Sequence, residues 1–452
     1  MTAGVASIGD LIAQGHAQIQ TGPFGSQLHS YDYVISGVPV VPTEAIRERR
    51  IDREVCPQIS PDKASELTRH SLRAGDILFA RRGVQATGHI GVVRLPEEGF
   101  ICGTGAIRLR VASGSNVVCG EYLSHLLADP ASISWFKFHA IGATMPNLNE
   151  GIIRDFPLKL PPYQYQRAIA SILSALDDKI ELNRRMNETL EAMAQAIFRD
   201  WFVDFGPVRR QQAGETDPVA IMGGLTPDPA RAAELAALFP DAFDEDGLPI
   251  GWTEPSLASH VEIIGGGTPR TSNPAFWGGE IPWFSVVDTP SGSDVFVYST
   301  EKSITAEGVA GSSVRLIPAG TTIISARGTV GNLAISAREM AFNQSCYALR
   351  SSKGDYNFFI YLLASHAVER LRAMAHGSVF STITRQTFDA MSFPSPPLPI
   401  LDALEALLGP MFDRIKASVA ENHTLAETRD YLLPRLMSGE VRVGDLELES
   451  AA

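Results

Sequence analysis

The side chains best suited to chemistry in this chain sit on loops punctuated by glycine and proline. Near the N-terminus, Thr21, Gly22, Ser26 and Gln27 share one such loop, Arg81 and Arg82 precede Gly83, and Thr144, Asn147 and Asn149 follow Gly142. Farther on, Thr268, Arg270, Thr271 and Asn273 form another polar loop. Arg327, Thr329 and Asn332 form a third set, and Ser381, Thr382 and Arg385 a last one. Hydroxyls, amides and guanidinium groups of this kind are suited to base edges and phosphate oxygens. Each alone is weak evidence, because such residues more often solvate or satisfy their own turn. Asn343 and Gln344, between two strand-like runs, read instead as a structural hydrogen-bonding pair.

Signatures of catalysis are missing. The chain has no GxxxxGK[ST] phosphate loop, no HExxH and no GxSxG, and its histidines make no ligand pair. Asn273-Pro-Ala-Phe276, with Gly265-Gly-Gly267 just upstream, is similar to the Asn-Pro-Pro-aromatic loop of amino-methyltransferases. A methyltransferase needs a helix after its glycine loop, in an alternating β/α core. Here Trp277-Gly-Gly and more strand follow, which argues for a turn-rich loop. Cys56, Cys102, Cys119 and Cys346 show no CxxC spacing and predict free thiols, not a disulfide frame or zinc site. No apolar run reaches 18 residues, so no membrane span is expected. The start, MTAGVASIGDLIAQGHA, has neither the basic nor the apolar region of a signal peptide, and a cytoplasmic protein is expected.

Two long helices must position these loops. From Gln164 to about Val203 there is no Gly or Pro, and Ala, Leu, Met, Glu and Arg abound, a composition that favours helix. Ile169, Leu173, Leu176, Ile180, Asn183, Asn187, Leu190, Ala194, Ile197 and Trp201 recur with the 4-3 alternation of a helix–helix seam. Asparagine in such a seam costs stability and fixes register. A second copy follows at an offset of 235. Pro161-Pro162 becomes Pro396-Pro397, Asn187 becomes Asn422, and the seam becomes Leu404, Leu408, Met411, Ile415, Ser418, Asn422 and Leu425. Two equal helices in one chain most simply pack antiparallel, which would put the regions they follow at opposite ends of a rod, related by a pseudo-twofold axis.

The remaining sequence divides accordingly. Residues 1–160 and 252–395 read as strand-rich globules, and the whole as α+β. Residues 161–205 are the central long helix, and 396–452 the C-terminal long helix and tail. Residues 206–251 read as an irregular, solvated acidic linker with a short helical piece from Pro229 to Leu238. The repeat reaches into the globules at Ala74–Gly83 and Ala319–Gly328, offset by 245, which places Arg82 and Arg327 in matching positions; the rest of the two globules has diverged. The net charge of −13 resides mostly in 211–250 (−7) and 396–452 (−5), leaving both globules near neutral. A phosphate-binding face is allowed, while affinity for DNA by the isolated chain should be weak.

Taken in order, these residues resemble the DNA specificity subunit of type I restriction–modification systems. The resemblance is carried by Gln166 to Asn183, Asn187-Glu-Thr-Leu-Glu-Ala-Met-Ala194, Trp201-Phe-Val-Asp-Phe205, Gly247-Leu-Pro-Ile-Gly-Trp252, Gly266-Gly-Thr-Pro269 and Trp277-Gly-Gly-Glu-Ile-Pro-Trp283. It covers nearly the whole chain. Leu398-Pro-Ile-Leu-Asp402 departs from the family's usual Glu-Gln after the second Pro-Pro. The resemblance implies a non-catalytic subunit with two target recognition domains, each reading half of a bipartite, asymmetric site in double-stranded DNA. It implies helices that act as a ruler for the spacer and dock two modification subunits, which restriction subunits then join. It also implies that this chain binds no cofactor, with S-adenosylmethionine, ATP and Mg used by the partner subunits. Two other readings stay open on sequence alone. A coiled-coil scaffold with protein-binding globules would show no sequence-selective DNA binding in any complex, and an enzyme, either a methyltransferase or a nuclease half, would bind cofactor by itself.

Overall fold

The computed structural model describes residues 6–142, 144–290, 292, 294–376 and 382–441. The chain forms two compact units, 1–178 with 425–452, and 179–424. Helix and strand are mixed in both. No helix among the described residues is long and apolar enough to cross a membrane.

In the first unit, a four-stranded antiparallel sheet runs in the order Ala17–Thr21, Ala106–Val111, Ile77–Ala80, Ile90–Val92. Ile77–Ala80 is buried at every position, as its uninterrupted apolar sequence requires of an inner strand. A second sheet holds Val38–Val41, which pairs in parallel with Ile101–Cys102. Helices Gly120–Ala128 and Pro130–His139 follow. The second begins at Asp129, whose carboxylate accepts from the Ala131 N–H, with Pro130 in the first turn, where a missing N–H costs nothing.

The second unit repeats this plan. Its main sheet runs Val261–Gly265, Cys346–Ser351, Thr322–Ser325, Leu333–Ser336, then adds Phe296–Val297 at the edge. Trp277–Phe284 pairs in parallel with Met340–Phe342, as Val38–Val41 does with Ile101–Cys102. The expected divergence of the two globules shows in their side chains and in peripheral strands and helices, while the four-stranded core of the main sheet is shared. That core is shared because a strand asks for apolar, β-favouring residues at alternate positions and not for particular ones.

Residues 206–251 differ from the solvated linker expected of them. Gly206–Gln212, Pro218–Ile221 and Pro229–Ala236 are helices, and Val208, Ile221, Met222, Leu235 and Phe239 lie in the same core as Trp201 and Trp252. Arg210 clamps this segment, donating to both Asp200 carboxylate oxygens at 3.0 and 2.7 Å and to the Ile221 carbonyl at 2.6 Å. The acidic residues lie outside and hid an apolar face.

The long helices span Tyr163–Phe202 and Leu398–Ser438, and their starts are 235 residues apart. The departure at Leu398 leaves the helix start in register with the first copy. In the second unit the pairing is antiparallel, with partner numbers falling as positions rise. Lys179 meets Glu421 at 3.3 Å, the Asn183 amide donates to Asn422 at 2.9 Å and to Glu421 at 2.8 Å, and Arg414 reaches Met186. The first unit shows the same sense, with Leu173 sharing a core with Leu433 and Asp177 bonded to Arg429 at 2.8 Å. Ile169, Leu173, Ile180, Asn187, Leu404, Leu408, Ile415 and Asn422 are buried as expected. Leu176, Leu190, Met411 and Leu425 are only half-buried, and Asp177 and Phe412 are buried beside two of them. A straight helix drifts from a 3.5-residue seam, so the inward position moves by one.

The two units seat on these helices through different chemistry. In the first, buried Asp177 bonds Arg429 and also Arg49, whose guanidinium reaches Glu121 at 3.1 Å and Ser124 at 2.9 Å. Burial lowers the Arg49 pKa to about 10, so it stays charged at neutral pH. Position 412, the counterpart of 177, is phenylalanine. It stacks on Phe358 at 4.4 Å and meets Tyr361 edge-on at 5.8 Å.

One carboxylate makes stability depend on pH. Glu405 of the C-terminal helix accepts from the Phe359 N–H at 2.8 Å, capping the helix Asn357–His376. Burial raises its pKa to about 7, against the lowering pull of the Phe359 and Phe358 amides. In the first unit the neutral amide of Gln166 does the matching work, accepting from the Cys119 N–H at 2.9 Å. A raised carboxyl pKa gives stability that is complete below about 4.5 and lost as pH rises through about 7. Glu405→Gln should therefore melt about 1–3 °C above the parent at pH 8 and level with it at pH 5. Calorimetric melts at the two pH values check this; equal melting at both would remove the carboxylate's cost.

Candidate nucleic-acid interface

Two stretches of each unit meet in the same way. The main chain of Arg82 bridges antiparallel to Asn147, and that of Arg327 to Thr382. The Leu148 N–H donates to the Arg81 carbonyl at 2.7 Å, and the Ile383 N–H to the Ala326 carbonyl at 3.0 Å. Asn149 then caps the helix Glu150–Arg154 through the Ile152 N–H at 2.9 Å, and Thr384 precedes the matching helix Arg385–Asp389. The repeats at offsets 245 and 235 thus converge on one constellation, built twice.

Within it the expected contact residues sort into two groups. Arg81 is structural, its Nε donating to Asn147 Oδ1 at 3.1 Å and the Leu148 carbonyl at 3.2 Å. Arg385 donates to the Ile263 carbonyl at 2.7 Å, Asn332 accepts from Arg372 at 3.4 Å, and Asn273 accepts from the Ala275 N–H at 3.2 Å. Thr21 gives its N–H and its hydroxyl to Glu150 Oε1, both at 2.9 Å. Thr268 bonds Gln344, and Asn343 accepts from the Ser345 N–H at 3.0 Å, so the Asn343-Gln344 pair is engaged within the fold. Gly22 serves close packing, because a Cβ there would stand 1.9 Å from the Gly103 carbonyl oxygen. Gly266 in the second unit matches it, at 2.0 Å from the Asn343 carbonyl oxygen.

The second group faces solvent. Arg82, Arg270 and Arg327 are exposed, and among the described residues their side chains bond to nothing. Ser26, Gln27, Thr144, Thr271 and Thr329 are exposed as well, although Gln27 accepts from the Phe24 N–H at 3.1 Å. Thr382 is half-buried in its bridge, and Ser381 lies outside the described residues. A guanidinium with no partner on a hydrogen-bonded main chain is an unpaired cation at a fixed backbone position.

Sequence reasoning missed the cleft beside Arg82. An open cavity of about 640 Å³ is lined by Tyr33, Pro42, Glu44 and Met145 together with Gly103, Thr104 and Gly105. The closely spaced Gly103 and Gly105 were its only sequence signal. No group of three or more metal-ligating side chains occurs among the described residues.

The sorting can be checked on the neighbouring arginines. Arg81→Ala leaves Asn147 and the Leu148 carbonyl unbonded and should lower the melting temperature by roughly 2–5 °C. Arg82→Ala should leave it within about 1 °C of the parent, as surface changes do. Thermal melts of both variants decide it, and a reversed order would reassign the two side chains.

The family described as type I restriction modification DNA specificity domain matches residues 62–192 and 249–415. The type I restriction enzyme HindI specificity subunit of Haemophilus influenzae is 30% identical over 366 residues, covering 73% of this chain and 79% of the relative. The MjaIX specificity subunit of Methanocaldococcus jannaschii is 24% identical, covering 73% and 71%. Among solved structures, the S subunit of a type I restriction–modification system from M. genitalium aligns with a TM-score of 0.52 at 12% identity, over 95% of this chain and 94% of that one, a likeness of fold.

Proposed function

The chain belongs to the type I restriction–modification DNA specificity family, and we propose that its two units each read one half of a bipartite, asymmetric DNA site. As a member it is the DNA-recognition subunit of such a system. The observation that carries the proposal is the twice-built constellation, with Arg82 and Arg327 free at matching positions and different side chains around each. An equal scaffold with unequal side chains reads two unequal half-sites. On this reading residues 1–160 and 252–395 are the target recognition domains, and the chain is a non-catalytic, cytoplasmic subunit. It docks two modification subunits and then restriction subunits. Its own residues hold no cofactor, and S-adenosylmethionine, ATP and Mg serve those partners.

Arg82→Ala should relax one half-site only, and Arg270→Ala and Arg327→Ala the other. Loss of a bidentate guanine contact costs roughly 1–3 kcal/mol at one position, whereas loss of a phosphate contact weakens all sequences alike. Fluorescence competition with the assembled methyltransferase complex tells these apart. Normal binding by all three variants would remove these loops from the reading surface, and a complex with no sequence preference would favour a protein-binding scaffold.

We further propose that the long helices set the number of unread base pairs. Asn183 pairs with Asn422, so both helices must grow together to keep the seam. Four residues added after Glu181 and four after His423 lengthen each by about 6 Å, with slightly more than one turn of rotation. At about 3.4 Å per base pair the spacer should grow by one to two base pairs, with both half-sites unchanged. The methylated motif in cells carrying the variant reports this. Altered half-sites with an unchanged spacer would end the ruler proposal.

A further inference from the structure

The cleft beside Arg82 has walls that a phosphate-binding groove would lack. Met145 is 64% exposed and Tyr33 38% exposed, so apolar surface lies open to water next to a free guanidinium. Glu44 lines the same cleft, close enough that its charge, after burial, helps raise the Tyr33 pKa. A carboxylate there repels a phosphate. It does not repel an uncharged base edge. Gly103 and Gly105 line it too, and the absence of a Cβ lets them pack close on Val41 and Thr43. The Thr43 hydroxyl donates to the Gly105 carbonyl at 2.8 Å, and a Cβ on Gly105 would stand 2.0 Å from that hydroxyl oxygen. At the matching positions the second unit carries Asn343, Gln344 and Ser345.

We infer that this cleft receives the major-groove edge of a thymine, its 5-methyl group against Met145, Tyr33 and Pro42, beside a guanine read by Arg82. The inference rests on the DNA-recognition reading above. Thymine is the base that presents a methyl group in the major groove, and apolar side chains are its complement. Arginine is the usual complement of guanine O6 and N7. The free Arg82 cation draws the duplex to the rim, and the apolar walls then discriminate thymine from cytosine. Glu44 is placed to accept from a neighbouring amino group. The second unit carries amides and a hydroxyl at the matching positions and should not depend on a methyl group in this way.

The test uses the assembled complex and duplexes carrying its own methylated motif, with each thymine replaced in turn by deoxyuridine. In the half-site that Arg82→Ala relaxes, at least one replacement should weaken binding about fourfold, the value of one buried methyl group. Met145→Ala, at an exposed position, should fold normally. It should weaken the thymine duplex similarly but add nothing to the loss with deoxyuridine. Uniform binding of all deoxyuridine duplexes, strictly additive losses, or a half-site without thymine would each overturn the inference while leaving selective DNA recognition intact. A native complex without any site preference would overturn both.

Discussion

An amide buried between two helices must find a polar partner, and Asn183 finds Asn422 on the opposite helix. That pair is the constraint on which the rest of the molecule depends. Leucine seams tolerate sliding by a heptad, because one leucine replaces another at little cost. A buried asparagine moved opposite leucine loses its hydrogen bond and keeps its desolvation penalty. Lys179 and Glu421 reinforce the same register from the rim of the seam. Everything each unit packs onto these helices inherits that alignment.

The packing on either unit shows how one backbone plan accepts opposite chemistries. Around Asp177 the first unit builds a buried ionic network with Arg49 and Arg429. Around Phe412 the second builds an aromatic cluster with Phe358 and Tyr361. The two chemistries are unlike, and neither could replace half of the other. A carboxylate among phenyl rings would be an unpaired buried charge, and a phenyl ring between Arg49 and Arg429 would remove the carboxylate that both bond. A duplicated chain has thereby acquired two seats of unlike chemistry.

The same economy governs the candidate interface. The main-chain bridges of Arg82 to Asn147 and of Arg327 to Thr382 use the backbone to hold the loops, which leaves the side chains free to vary. The polar residues that hold the scaffold together, such as Arg81, Asn149, Glu150 and Arg385, are of the same types as those that face solvent. Residue type alone therefore cannot separate a reader from a brace. What separates them is whether a partner lies within hydrogen-bonding distance in the folded chain.

The long helices, their duplication, the asparagines in the seam and the strand-rich globules were legible in the sequence. Each is a periodic or local signal: a 4-3 alternation, an offset of 235, apolar runs between glycines. The three free arginines were also named there, among others that are hydrogen-bonded within the fold. Tertiary structure alone decided that Asn422 meets Asn183 rather than its repeat equivalent Asn187, because antiparallel packing reverses the order of partners. It alone turned the acidic stretch 206–251 into a packed segment, since charge counts do not reveal which face is apolar. It alone showed that diverged globules share the core of one sheet, and that distant residues such as Tyr33, Arg82, Gly105 and Met145 line one cleft. Burial and long-range pairing are properties of the folded chain, and no local pattern encodes them.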